Sequence, residues 1–160
     1  MSPLQSLNAL LDQQPVASLA VLEAGSPAVS LVPFVVQRDP LRFAIFISEL
    51  SAHTQALRED GRAGLMIHEP PTPGDPRSNH ALARVMVSGV AEFLSREEAV
   101  ARGFEPLYRA KYEIAEMLLG LADFHFCQIT PRQGSFIQGF GQAFRLSGPN
   151  LDQLEHISRG

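Results

Sequence analysis

The sequence predicts a mainly β fold, an antiparallel sheet closed into a small barrel with peripheral helices. Three observations predict it. Short β-rich runs recur along the chain with turn residues between them. Few helical crossovers separate those runs, so neighbouring strands should be antiparallel. At 160 residues the expectation is one domain, residues 1–160, large enough to bury a core.

Leu4, Leu7, Leu10 and Leu11 recur at helical spacing, so residues 3–13 are expected to form an amphipathic helix stopped before Pro15. Residues 16–24 and 28–36 are two β-rich runs split by Gly25-Ser26-Pro27, which reads as a hairpin. Pro33 has no amide hydrogen and should sit at an edge or bulge. After the turn Arg38-Asp39-Pro40, residues 41–47 alternate as a third strand. A helix over 52–60 follows, with Ser51 as N-cap and Gly61 just past its end.

Residues 62–68 form a fourth strand, and the proline-rich run 70–79 a long semi-rigid loop. The fifth strand covers about 82–94, bent at Gly89. Ser95-Arg96-Glu97-Glu98 is a capping box that opens a helix. Gly103 and Pro106 should interrupt it, and a second helical run should cover 107–119, ended by Gly120. Residues 124–129 are a sixth strand, turned by 130–134 into the next stretch. A short helix over 150–156 is expected at the end.

Residues 134–146 read as one strand with unlike faces. Phe136, Gln138, Phe140, Gln142, Phe144 and Leu146 make one face bulky. Gly139, Gly141 and Ala143 leave the other nearly bare, a shallow slot that ends at Arg145. Glycines inside a strand mark a barrel bend or the close approach of something flat, and both readings stand.

Composition excludes several classes. A net charge of −4, a pI near 5.7 and no basic run argue against nucleic acid. Lys111 is the single lysine, so anions must be held by arginine, histidine, hydroxyls or amides. One cysteine, Cys127, allows no internal disulfide and fits a reducing compartment. No apolar run reaches membrane-spanning length, and the first residues lack the basic and apolar parts of a signal peptide. A cytoplasmic protein with no membrane partner is expected.

Gly139-Phe140-Gly141 lacks the third glycine and the βαβ setting of a dinucleotide fingerprint, so nucleotide binding of that type is rejected. No phosphate-binding loop and no Gly-x-Ser-x-Gly elbow occurs. Asp123, His125 and Cys127 would share a strand face, a ligand set that needs a further donor. The start of the helix at Ser51, with His53 and Thr54 in its first turn, offers free amides to an anion. His156 could serve as an axial ligand to haem iron, since one neutral imidazole suffices.

Four segments then carry a resemblance: 30–34 (Ser-Leu-Val-Pro-Phe), 47–54 (Ile-Ser-Glu-Leu-Ser-Ala-His-Thr), 84–89 (Arg-Val-Met-Val-Ser-Gly) and 139–143 (Gly-Phe-Gly-Gln-Ala). In this order they resemble the pyridoxamine 5′-phosphate oxidase-like FMN-binding split barrels, and most of all the haem-utilisation (haem-degrading) branch. The resemblance spans about residues 4–157. It implies a split β-barrel of six to seven mostly antiparallel strands, a homodimer, and ligand clefts at the subunit interface holding FMN or haem. The FMN phosphate position corresponds to Ser48, Ser51, Ala52 and His53, beside Thr54. Flavin-binding members usually carry Arg-Lys where this chain has Ala52-His53, which removes two fixed charges. Arg84 and Arg145 are the basic residues available to a substrate phosphate, and Gly139 and Gly141 to a flat ligand. Asp123 corresponds to the aspartate that acts with a histidine at haem iron, and His156 is the candidate histidine.

Three functions follow from the resemblance: a haem-degrading redox enzyme, an FMN-dependent oxidoreductase, and a non-catalytic haem or flavin carrier. The residues leave open whether the chain is an enzyme.

Overall fold

The computed structural model describes residues 1–76 and 79–158. Nine strands form one antiparallel sheet: β1 (Val16–Glu23), β2 (Ser26–Pro33), β3 (Val35–Gln37), β4 (Arg42–Ser48), β5 (Arg62–His68), β6 (Arg84–Phe93), β7 (Phe124–Gly139), β8 (Gln142–Ser147) and β9 (Gln153–His156). Seven of them run in the order β2-β1-β5-β6-β7-β4-β3, with β8 on β7 and β9 on β8. The sheet curls until β2 approaches β4. Among the described residues five α-helices lie around it, α1 (Pro3–Gln13), α2 (Ala52–Glu59), α3 (Arg96–Arg102), α4 (Phe104–Lys111) and α5 (Ala115–Leu119), with a single 3₁₀ turn at Asn79–Ala81. The expected antiparallel sheet with peripheral helices is what forms, curled into a half-barrel whose end strands β2 and β3 do not pair with each other.

Period-two alternation sends Ala17, Leu19 and Val21 of β1 and Val85 and Val87 of β6 inward. They join Phe34, Phe43, Phe136 and the apolar stripe of α1 inside the curl. Burying a phenylalanine such as Phe136, 0% exposed, contributes roughly 1.5–3 kcal/mol. A second core lies outside the sheet, where Phe104 and Tyr108 of α4 cover Phe46 and Phe126. Pro33 ends β2, an edge strand, as expected.

Several expectations are corrected. Residues 134–146 are not one strand. β7 runs unbroken from Phe124 to Gly139, then reverses through Phe140-Gly141 into β8. Pro131 does not turn the chain, because it stands opposite the bulge at Ser88/Gly89, where a ladder amide is dispensable.

The end of the chain is the strand β9, not a helix over 150–156. Its Leu154 and His156 pair with Leu146 and Phe144 of β8, and so short a helix has little means to nucleate. The helix expected over 107–119 is two pieces, α4 and α5, broken at Tyr112–Ile114. Pro106 sits in the first turn of α4, where no intrahelical amide bond is made, so it interrupts nothing. The expected loop over 70–79 includes Arg77 and Ser78, which lie outside the described residues. Among the described residues no helix is long and apolar enough to cross a membrane.

Candidate functional site

The register of six strands fixes a row of residues on the outer face of the sheet: Leu31, Ser18, Met66, Met86, Ser135 and Arg145. A parallel row carries Val29, Ala20, Gly64, Ser88 and Gln133. Ala20, Gly64 and Ser88 leave the middle of the second row low beside Met66 and Met86 of the first. The groove encloses about 850 Å³, with Met66 and Met86 on its floor and Arg132 and Arg145 at one side. Val29 and Leu31 stay 75% and 66% exposed on its other side. An apolar floor with a few placed charges is the usual make-up of a ligand cleft.

The junction of β4 and α2 has a different chemistry. Ser48 Oγ donates to Asp123 Oδ2 at 2.7 Å and accepts from the Leu50 amide at 3.1 Å. Thr54 Oγ1 donates to Ser48 O at 2.6 Å, and Thr54 is fully buried. Ser51 stands at the N-cap of α2 but makes no side-chain cap bond. His53 Nδ1 lies 3.0 Å from Ser30 Oγ, while its Nε2 is buried with no partner among the described residues. Burial lowers the His53 pKa below the ordinary 6.5, which favours the neutral ring. Arg58 bonds Glu49 and stacks on Phe93, 4.1 Å from its ring centre. Glu49 also reaches His125 Nε2 at 3.2 Å. Its carboxyl pKa is lowered chiefly by the Arg58 hydrogen bond.

These residues do not fit a phosphate monoester. The hydroxyls of Ser48 and Thr54 are committed, burial disfavours a charged His53 ring, the nearby Arg58 guanidinium is taken by Glu49, and Asp123 adds a negative charge. What remains for an anion is Ser51 and the first amides of α2.

The other site candidates are dispersed. From Phe124, beside Ser48, to Phe136, in register with Phe144 and through it with His156, β7 advances 12 residues. At the usual rise that is on the order of 40 Å along the strand. One chain therefore does not bring Asp123 and His156 together. His156 packs edge-on against Phe144, and its Nε2 lies 2.9 Å from Gly141 O. Phe144 is buried and Arg145 exposed, so His156 shares the face opposite to the groove row.

Arg84 donates to Leu82 O and His80 O. Gly139 and Gly141 lie at the tip of the β7–β8 hairpin, where a methyl group added at either position would meet nothing within 4 Å. Gly141, at φ +70°, supplies the left-handed residue this tight turn needs. The set Asp123, His125 and Cys127 does not assemble: among the described residues no three His, Cys, Asp or Glu side chains are grouped to hold a metal. Cys127 is fully buried, and burial pushes its thiol up to about 12.

Of the residues singled out in the sequence, Arg145 alone lines the groove. Met66, Met86 and Arg132 were missed. The alternation of residues 62–68 and 84–89 carried a signal for the two methionines, but only strand register places them side by side.

Fold and groove together define a split barrel, a curled antiparallel sheet with a ligand-sized cleft on its outer face. The chain belongs to the pyridoxamine 5′-phosphate oxidase family, whose model matches residues 4–138. It is 30% identical over 144 residues to Heme oxygenase HutZ of Vibrio cholerae, covering 89% of this chain and 80% of that protein. A structure of HutZ described as a haem storage protein superposes with a TM-score of 0.74 at 22% identity, over 96% of this chain and all of the other. A haem-binding protein from Mycobacterium smegmatis gives 0.77 at 24% identity over 95% of this chain, which spans 60% of its length. The two structural likenesses confirm the split-barrel fold.

Proposed function

We propose that this protein binds haem in the groove on the outer face of its sheet, with a second copy of the chain closing the cleft. The observation that carries the choice of haem over FMN is the β4–α2 junction, where Ser48 and Thr54 are bonded internally beside Asp123 and Glu49. FMN needs a cationic phosphate seat, and here the nearby Arg58 guanidinium is already bound to Glu49 while Asp123 adds a negative charge. Haem is an apolar plane edged by carboxylates. It matches a floor containing Met66 and Met86 with Arg132 and Arg145 alongside. The relative named as a haem oxygenase, 30% identical, supports the same choice.

Within the groove the chain's own residues supply apolar contact and two guanidinium groups for carboxylates, Arg145 exchanging a loose, exposed 3.7 Å contact with Glu155, and they exclude water from the bound face. Bound haem supplies the redox and O₂ chemistry. In the degradative role we assign to it, an external reductant and O₂ are consumed. Exposed Val29 and Leu31 at the margin of the groove support burial against a partner subunit. A cytoplasmic setting fits the single, buried Cys127.

The carrier reading has its own observation. Asp123 and His156 occupy distant parts of one chain, and no histidine lines the groove among the described residues.

Spectral titration of the purified protein with hemin, and separately with FMN, tests the proposal. Saturable hemin binding at one per subunit, weakened by Arg132→Gln, is expected, with no saturable FMN signal. Tight FMN binding without hemin binding would overturn it. Addition of ascorbate under air then separates the roles: loss of the Soret band with release of iron marks the enzyme, and a stable spectrum the carrier.

A further inference from the structure

We propose that the polar cavity between the β3–β4 hairpin, β7 and the end of α3 is a second binding site, specific for a small oxyanion (a phosphate or a carboxylate). The cavity encloses about 570 Å³ and shares no lining residue with the outer-face groove. Its edges carry Arg42 from β4, Gln128 and Thr130 from β7, and Arg102 from α3.

The hydrogen bonds determine which atoms face the cavity. Arg102 Nη1 donates to Gln128 Oε1 at 2.6 Å. Arginine can only donate, so this contact fixes the orientation of the amide and turns its NH₂ group toward Thr130. Gln128 Nε2 to Thr130 Oγ1 is 3.4 Å, at the long limit of a hydrogen bond, although Gln128 is only 4% exposed. A buried amide donor is thereby left poorly satisfied beside empty space. Arg42, half-buried, donates to the neighbouring Leu41 O at 3.0 Å, and among the described residues it joins no ion pair. Among the described residues most of its five N–H groups have no acceptor.

The acidic groups at the rim leave this donor set standing. Asp39 accepts from Asn150 Nδ2 at 3.0 Å. Glu92 and Glu98, both exposed, reach only to 3.9 Å and 4.0 Å from Arg102 Nη2, so an anion in the cavity competes with two loose, solvated contacts. Arg38 is taken by Asp12. Arg42, Arg102, Gln128 and Thr130 therefore present donors to a guest that need only accept, and planar guanidinium groups suit both carboxylate and phosphate oxygens. A chain of net charge −4 repels anions at long range, so retention there depends on this local arrangement.

Isothermal titration calorimetry of the full chain with inorganic phosphate, and separately with succinate, tests the site, with sodium chloride as the ionic-strength control. Saturable one-site binding of either anion is expected, weakened at least tenfold by Arg42→Gln and unchanged by Arg62→Gln on the exposed end of β5. Phosphate alone or succinate alone would name the class of guest. If circular dichroism shows Arg42→Gln unfolded, Thr130→Val replaces it, with a severalfold loss expected. Saturable binding of neither anion, equal competition by chloride, or equal loss in Arg62→Gln would overturn the proposal.

Discussion

Ser48 Oγ lies 2.7 Å from Asp123 Oδ2 and ties the end of β4 to the start of β7. The same hydroxyl accepts from the Leu50 amide, and the Ser48 carbonyl accepts from buried Thr54. One serine thus organises the turn into α2 and consumes the polar groups that an anion would need there. The arrangement makes this junction a structural joint whose acidic partner is already in place.

Replacing Ser48 by alanine should therefore cost about 1 kcal/mol, because half-buried Asp123 and the exposed Leu50 amide each lose a hydrogen bond. Thermal unfolding should show a midpoint several degrees lower. Hemin affinity in the groove should change little. A large loss of hemin binding in a variant of normal stability would instead place Ser48 in the ligand site.

Gly89 is required by contact. A methyl group there would lie 2.2 Å from Thr130 O across the β6–β7 bulge, and backbone cannot swing away as a side chain does. Gly89→Ala should cost about 3 kcal/mol or more, or prevent folding, as measured by denaturant unfolding.

Gly141 is required by conformation. Its φ of +70° disfavours other residues, yet nothing lies within 4 Å of a methyl built on it. Gly141→Ala should cost about 1–2 kcal/mol and leave hemin affinity unchanged. A collapse of hemin binding in the folded variant would put the hairpin tip in the site.

His53 makes stability depend on pH. Burial lowers its pKa in the fold below the ordinary 6.5, so the unfolded chain binds more protons as pH falls. The contribution is fully present above the unfolded value and is lost as pH drops through 6.5 toward the lower folded value. The unfolding free energy should decline from pH 7 to 5.5, and His53→Gln should flatten that part of the curve. An unchanged slope in His53→Gln would assign the dependence to other groups.

Val29 and Leu31 are outward on the edge strand β2, so charging them disturbs no core. Leu31→Asp should leave the fold intact by circular dichroism and convert the proposed dimer to a monomer in analytical ultracentrifugation. A dimer that persists would move the interface to another face.

The helix over residues 3–13, the strand over 62–68 and the bend at Gly89 were legible in the sequence because each rests on local periodicity or local backbone chemistry. The single strand expected over residues 134–146 failed because alternation continues across a two-residue hairpin turn, so period alone cannot show where β7 reverses into β8. The last strand was missed because Leu154 and His156 gain their places from β8, not from their neighbours in sequence.

By itself, the sequence determined the fold class and the kinds of side chain that could meet a ligand, through composition and short-range pattern. Only the tertiary structure decided which of them share a face. Register put Met66 beside Met86 and sent Asp123 and His156 to distant rows, while hydrogen bonding turned Ser48 and Thr54 from anion donors into a closed joint. The physical reason is that strand pairing and hydrogen-bond satisfaction are long-range, and a single chain read in order carries neither.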